Sequence, residues 1–230
     1  MHLDDIAHPK PKHKGTQQLF AHPWLERLTR THIGVPVTIF LVYGAVLLGY
    51  CTLRTPLGLG QAGALFVGGL LLFTFVEYWV HRSVYHVRPR SARMARFQYR
   101  IHGVHHEYPK DKDRLAMPPW LSLLIATALL WGAERIWGYA GLAVLSGFLT
   151  GYALYLLVHY STHAFAPPKN RLKILWEHHA MHHYKDPGKA FGVSSPLWDY
   201  VFGTQIKRAK PNLAARPLMQ TTLPGKPAAL

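Results

Sequence analysis

Four apolar runs fix what this chain can fold into. Residues 33–53 (IGVPVTIFLVYGAVLLGYCTL) and 58–80 (GLGQAGALFVGGLLLFTFVEYWV) are each long enough to cross a hydrocarbon core of about 30 Å as a helix. Two more follow at about 117–133 and 138–160, the former short and the latter long. The expected fold is all-α and integral to the membrane, with four transmembrane helices in two hairpins.

Basic residues orient that arrangement. Of the 26 Lys and Arg, five precede residue 33, nine lie between 81 and 117 and ten follow 165. Only Arg54 and Arg135 fall in the two short loops on the other side. By the positive-inside rule both termini and the long central loop are expected in the cytoplasm, in a bacterial inner membrane rather than the endoplasmic reticulum. A formal charge of +15 then reads as attraction to anionic headgroups, and the apolar runs argue against nucleic acid as a partner. Three regions are expected: a basic cytosolic or interfacial segment at 1–32, a membrane-embedded domain at 33–204, and a disordered tail at 205–230 rich in Pro, Lys and Ala. Cys51, the one cysteine, lies inside the first run, which excludes an intrachain disulfide.

Ten of the 16 histidines form four clusters, each at or just past the end of an apolar run. These are His81 and His86, then His102, His105 and His106, then His159 and His163, then His179, His182 and His183. In the second and fourth clusters the spacing is i, i+3, i+4, which puts three imidazoles on one helix face and lets them divide between two metal ions. His159 and His163 at i, i+4 can serve one ion each or both serve one. His81 and His86, five apart, would sit about 140° apart on a regular helix, so the helix is expected to bulge, tighten or end between them. An all-imidazole set suits zinc, copper, iron and nickel. Set in a cytosolic, His-rich helical cap at a membrane surface, it points to a two-metal centre for dioxygen activation, with no catalytic residue beyond the metal ligands. His2, His8, His13, His22 and His32 stand alone and are expected to be ordinary; His178 breaks the repeat and is left outside the ligand set.

Ions held only by neutral rings keep their positive charge, so nearby acids are expected to accept imidazole N–H bonds and orient the rings. Glu77 stands one turn before His81 within an apolar run, where an unpartnered charge is expensive. Asp199 and Asp113 are the other two candidates for this outer role.

With these motifs the chain resembles the fatty acid hydroxylase superfamily of sterol desaturase-like membrane di-iron proteins. Within it the resemblance is closest to fatty acid 2-hydroxylases, here without a cytochrome b5 domain. It covers about residues 70–204 and includes EYWVHRSVYH from Glu77, DRLAMPP from Asp113, GYALY from Gly151 and HHYKDPGKAFGVSSPLWDYVFGT from His182. The resemblance implies two iron ions on the ten histidines, which zinc can replace in purified protein. It also implies dioxygen-dependent hydroxylation of a lipid acyl chain, at C2 of a fatty acid or of the acyl chain of a complex lipid. Electrons would come from a separate donor such as a cytochrome b5 or a ferredoxin. A sterol or carotenoid hydroxylase, a desaturase, and a non-catalytic membrane metal-binding protein are the alternatives that the same motifs leave open.

Overall fold

The computed structural model describes residues 3–206, and the tail expected to be disordered lies almost wholly outside them. Among the described residues all regular structure is helical. Two short helices, α1 (Leu3–Ala7) and α2 (Pro23–Arg27), precede the long helices α3 (Gly34–Arg54) and α4 (Leu59–Val80). A widened π turn (His81–Tyr85), α5 (Ala92–Gln98), a second π turn (Tyr99–Gly103), α6 (Val104–Glu107) and a 3-10 turn (Lys112–Arg114) come next. The longest helix, α7 (Pro119–Ala164), is followed by α8 (Lys173–Tyr184) and α9 (Leu197–Phe202).

Among the described residues three helical stretches are long and apolar enough to cross a membrane: Gly34–Arg54, Leu59–Tyr85 and Lys112–Ala164. In lipid a backbone group without a partner costs several kcal/mol, and a helix satisfies all but its ends internally. The first two expected spans are each one such helix. The third and fourth are instead joined in α7, which leaves helical geometry only at Gly138, with φ 54° and ψ −135°. Glycine takes that conformation without a Cβ clash. Past this point the chain doubles back, because Ala126 packs with Leu145 and Leu149, and Leu130 packs against Leu142.

α7 lies along both α3 and α4. Gly69 of α4 meets the Val144 carbonyl and Gly147 of α7 meets the Phe66 carbonyl, with no space for a side chain at either. Lipid removes the hydrophobic drive between helices, so close backbone approach of this kind supplies the packing energy. Large apolar side chains face outward, including Leu53 at 81% and Val46 at 63% exposure, as a lipid solvent allows.

The C-terminal ends of α4 and α7 lead into a cap of short elements, and the N-terminal segment lies across it. Lys12 donates its amide to the Glu107 carbonyl and its ammonium to the Glu107 carboxylate, both at 2.6 Å. Glu26 pairs with the buried Arg114, and the Thr31 amide donates to the Asp113 carbonyl at 2.9 Å.

Candidate metal centre

The π turn after α4 is the first device that builds the site. By hydrogen-bonding the His86 amide to the His81 carbonyl at 3.1 Å, it widens the helix by one residue. Residues five apart then stack on one side, and the two ring centroids are 5.0 Å apart. The geometric conflict in the sequence is thus resolved by a bulge. π turns of this kind occur as single turns, often at functional sites.

All ten clustered histidines come together, in two groups of five that could each hold a metal ion. One comprises His81, His86, His102, His106 and His182; the other comprises His105, His159, His163, His179 and His183. Within each group the donor nitrogens lie within 4.8 Å of one another. In each triplet the residues at i and i+4 join one group while the residue at i+3 crosses to the other. His102 and His106 meet through Nε2 at 3.0 Å, and His179 and His183 at 3.1 Å. His105 instead meets His159 at 3.0 Å and His183 at 3.1 Å, while His182 faces His106 at 3.2 Å. His159 and His163 both serve the second group.

The donor chemistry fits a cation. His81 Nδ1 faces the Phe191 carbonyl at 2.5 Å, His159 Nδ1 the Leu115 carbonyl at 3.1 Å, and His182 Nδ1 the Lys189 carbonyl at 2.7 Å. A carbonyl only accepts, so these Nδ1 atoms carry the hydrogen and each Nε2 presents a lone pair to its group. Burial holds His86, His102, His105, His106, His179, His182 and His183 well below the usual 6.5, and repulsion among the rings adds to it. Neutral rings with converging lone pairs are the form in which histidine binds metal.

The acids act one step further out than expected. Glu77 Oε1 accepts the Val193 and Ser194 amides at 2.6 and 2.9 Å, and among the described contacts neither of its oxygens reaches a ring. Asp199, fully buried, accepts the Phe191 amide (2.9 Å), the Gly192 amide (2.8 Å) and the Thr204 hydroxyl (2.6 Å). Burial alone would raise its carboxyl; the bonds from His178, Thr204 and the two amides outweigh it and hold the group below the ordinary Asp value. Both acids thus fix the 189–194 loop, whose Phe191 and Lys189 carbonyls orient His81 and His182. Within that loop Ala190 has φ 57°, a strained conformation pinned by its amide bonding the Thr204 carbonyl at 2.8 Å. Asp113 does not take the expected role. It is exposed on the 3-10 turn and, among the described contacts, engages only through its carbonyl; two residues on, the Leu115 carbonyl holds His159.

Two histidines outside the ligand set belong to the site's surroundings. His178 Nε2 meets Asp199 Oδ2 at 3.0 Å, outside both groups; its place one turn before His182 was the available signal. His8, expected to be ordinary, stacks on His86 with centroids 4.6 Å apart and planes at 20°. No local pattern announces it, because the contact spans 78 positions of chain.

This arrangement of ten histidines, a helical cap and long apolar helices defines a class, and the comparisons name it. Residues 66–204 match the family model described as fatty acid hydroxylase, and the chain belongs to that family. It is 35% identical over 210 residues to a ceramide very long chain fatty acid hydroxylase, scs7, of Schizosaccharomyces pombe, covering 89% of this chain and 60% of that protein. A dihydroceramide fatty acyl 2-hydroxylase of Arabidopsis thaliana is 32% identical over 189 residues, covering 81% of this chain and 79% of the relative. The solved structure of full-length scs7p, with only its hydroxylase domain visible, superposes with a TM-score of 0.80 at 32% identity, over 89% of this chain and 78% of that one. The chain therefore spans only part of the first of these relatives.

Proposed function

We propose that the chain hydroxylates a lipid acyl chain at the carbon next to the carbonyl, in a free fatty acid or in the acyl chain of a complex lipid. The observation that carries this reading is the pair of five-histidine groups, each able to hold a metal ion, in a family whose named relatives act on ceramide and fatty acyl chains. Two iron ions bound by the ten histidines would supply the dioxygen-dependent oxidation of an unactivated C–H bond. One oxygen atom enters the substrate and the other leaves as water, which requires two electrons from a separate donor such as a cytochrome b5 or ferredoxin and two protons from water. The protein's own part is positional: carbonyls fix the tautomers of His81, His159 and His182, the 189–194 loop holds two of those carbonyls, and burial of the rings restricts water.

The same reading places both termini and the cap in the cytoplasm, since the basic residues gather there. It counts the two arms of α7 as separate crossings, giving four spans in two hairpins, with 33–204 as the catalytic domain. Asp199 and Glu77 support the ligands, and the membrane supplies the substrate. Incubation of purified protein with reduced donor, a lipid and isotopic dioxygen is expected to place one labelled oxygen at C2. An unlabelled double bond would instead make the protein a desaturase. Label in a sterol or carotenoid would change the substrate, and no dioxygen-dependent product from any lipid would leave a metal-binding protein.

A further inference from the structure

A cavity of about 460 Å³ lies between the C-terminal end of α7 and α8. It ends on His163, His179 and His183, all ligands of the second group, and no ring of the first group lines it. Its volume falls in the range of small-molecule sites and far exceeds the roughly 30 Å³ that one water occupies. Phe165 and Tyr184, 62% and 50% exposed, stand among its lining residues, where α7 leaves the apolar run. Lys110 also lines it, held by donating to the His163 carbonyl at 2.7 Å. An ammonium has three N–H donors, so this bond leaves two.

The other side of the second group is different. A smaller cavity of about 100 Å³ among Phe40, Phe73, Phe148 and Tyr152 lies within the long helices. Between it and the ligands stand stacked rings: Tyr152 on Tyr155 at 6.1 Å, and Tyr155 on His159 at 5.4 Å. The second group is thus flanked by a roomy space with a cation on one side and by apolar packing on the other. An acyl lipid has the same polarity, with an oxygen-bearing end and a hydrocarbon tail.

We propose that the 460 Å³ cavity receives the carbonyl end of the lipid, an acyl amide or a carboxylate, with Lys110 donating to its oxygen. The reacting carbon is then placed by its distance from that oxygen, against the second group. This rests on the hydroxylase reading above and adds which metal group meets the substrate and which residue registers the chain.

Lys110→Met and Ala166→Phe test it; Ala166 lines the cavity in the exposed loop after α7. Three quantities are compared with the parent in the purified full chain: metal content, binding of ceramide and of palmitate by native mass spectrometry, and position of the labelled oxygen. With metal content unchanged, Lys110→Met should weaken binding by about tenfold, the scale of a lost charge-assisted hydrogen bond, and spread the hydroxyl from C2 to neighbouring carbons. A loss confined to palmitate assigns a carboxylate to the cavity, and a loss shared with ceramide assigns an acyl carbonyl. Ala166→Phe should weaken ceramide more than palmitate, because the head beyond the amide is bulky. Unchanged binding and product position in both variants would overturn the proposal. If the parent yields no labelled product from any lipid, the hydroxylase reading has failed instead.

Discussion

The two histidine groups have equal numbers of rings but unequal support. In the first, His81 and His182 are each held by a loop carbonyl, and His86 is covered by the ring of His8. Among the described residues the second group has such a carbonyl only on His159, and Nδ1 of His105, His179 and His183 is buried without a partner, against one such nitrogen, His86 Nε2, in the first group. The open cavity also ends on the second group. A buried polar atom left unpaired costs about 1–3 kcal/mol, so the second group is the less stabilised half.

Removing a ligand is the strongest way to break this comparison. His182→Ala should lose the ion of the first group and His105→Ala that of the second, each dropping elemental content from about two ions to about one per chain and abolishing product. Loss of both ions in both variants would mean that the groups do not bind independently.

Acid should then separate the halves. The rings are held neutral in the folded chain, with values depressed below 6.5, whereas in the unfolded chain they protonate near 6.5. A depressed histidine contributes stability above the unfolded value, and that contribution is lost as pH falls below about 6.5, because the unfolded state binds more protons. Metal release follows the same direction. Stepwise acidification with elemental analysis should release the second group's ion first, and simultaneous release would erase the distinction.

Asp199→Asn acts on one half. Its amide cannot accept two of the four hydrogen bonds now made to the carboxylate, so the loop carrying the Phe191 and Lys189 carbonyls relaxes. Affinity at the first group should fall about ten- to a hundredfold, with the second group little changed, as read by competition with a chelator. The smallest effect is expected from His8→Ala, which removes a ring stack of about 1 kcal/mol and should speed metal exchange at the first group several-fold. His8→Phe should restore the parent rate, and its failure would show that a nitrogen of His8 matters rather than its plane.

Which parts of this were readable beforehand follows from how local each signal is. The triplets at i, i+3, i+4 and the pair at i, i+4 follow helical geometry and account for eight of the ten clustered histidines, whereas His81 and His86, five apart, meet only because the helix widens into a π turn between them. The first two spans were equally plain, because α3 and α4 each match a charge-poor run nearly residue for residue. Runs three and four had the right polarity, and Glu134 and Arg135 mark the gap between them, but the helix runs through those charges and a single backbone reversal at Gly138 replaces the expected loop. The partners of the rings were illegible for another reason. Phe191, Leu115 and Lys189 contribute carbonyls, which every residue possesses, and only chain closure over long separations decides which one faces a ring. Glu77 and Asp199 were found as acids near the site, yet their target is the loop. Asp113 shared their sequence context and not their burial.

The exchange of the middle histidines couples the two ion positions mechanically. His102 and His106 belong to one group and the intervening His105 to the other, and α8 repeats the pattern in reverse. The continuous helical turns from His102 to His106 and α8 therefore space the two positions by helical geometry rather than by the length of any loop. One residue inserted between His102 and His105, or between His179 and His182, would throw both positions out of gauge at once. Membrane helices tilt to follow bilayer thickness at a cost of only fractions of a kcal/mol per Å of mismatch. A chain seated in a solvent of variable thickness thus keeps the interval between its two sites in the cap, beyond the reach of that variation.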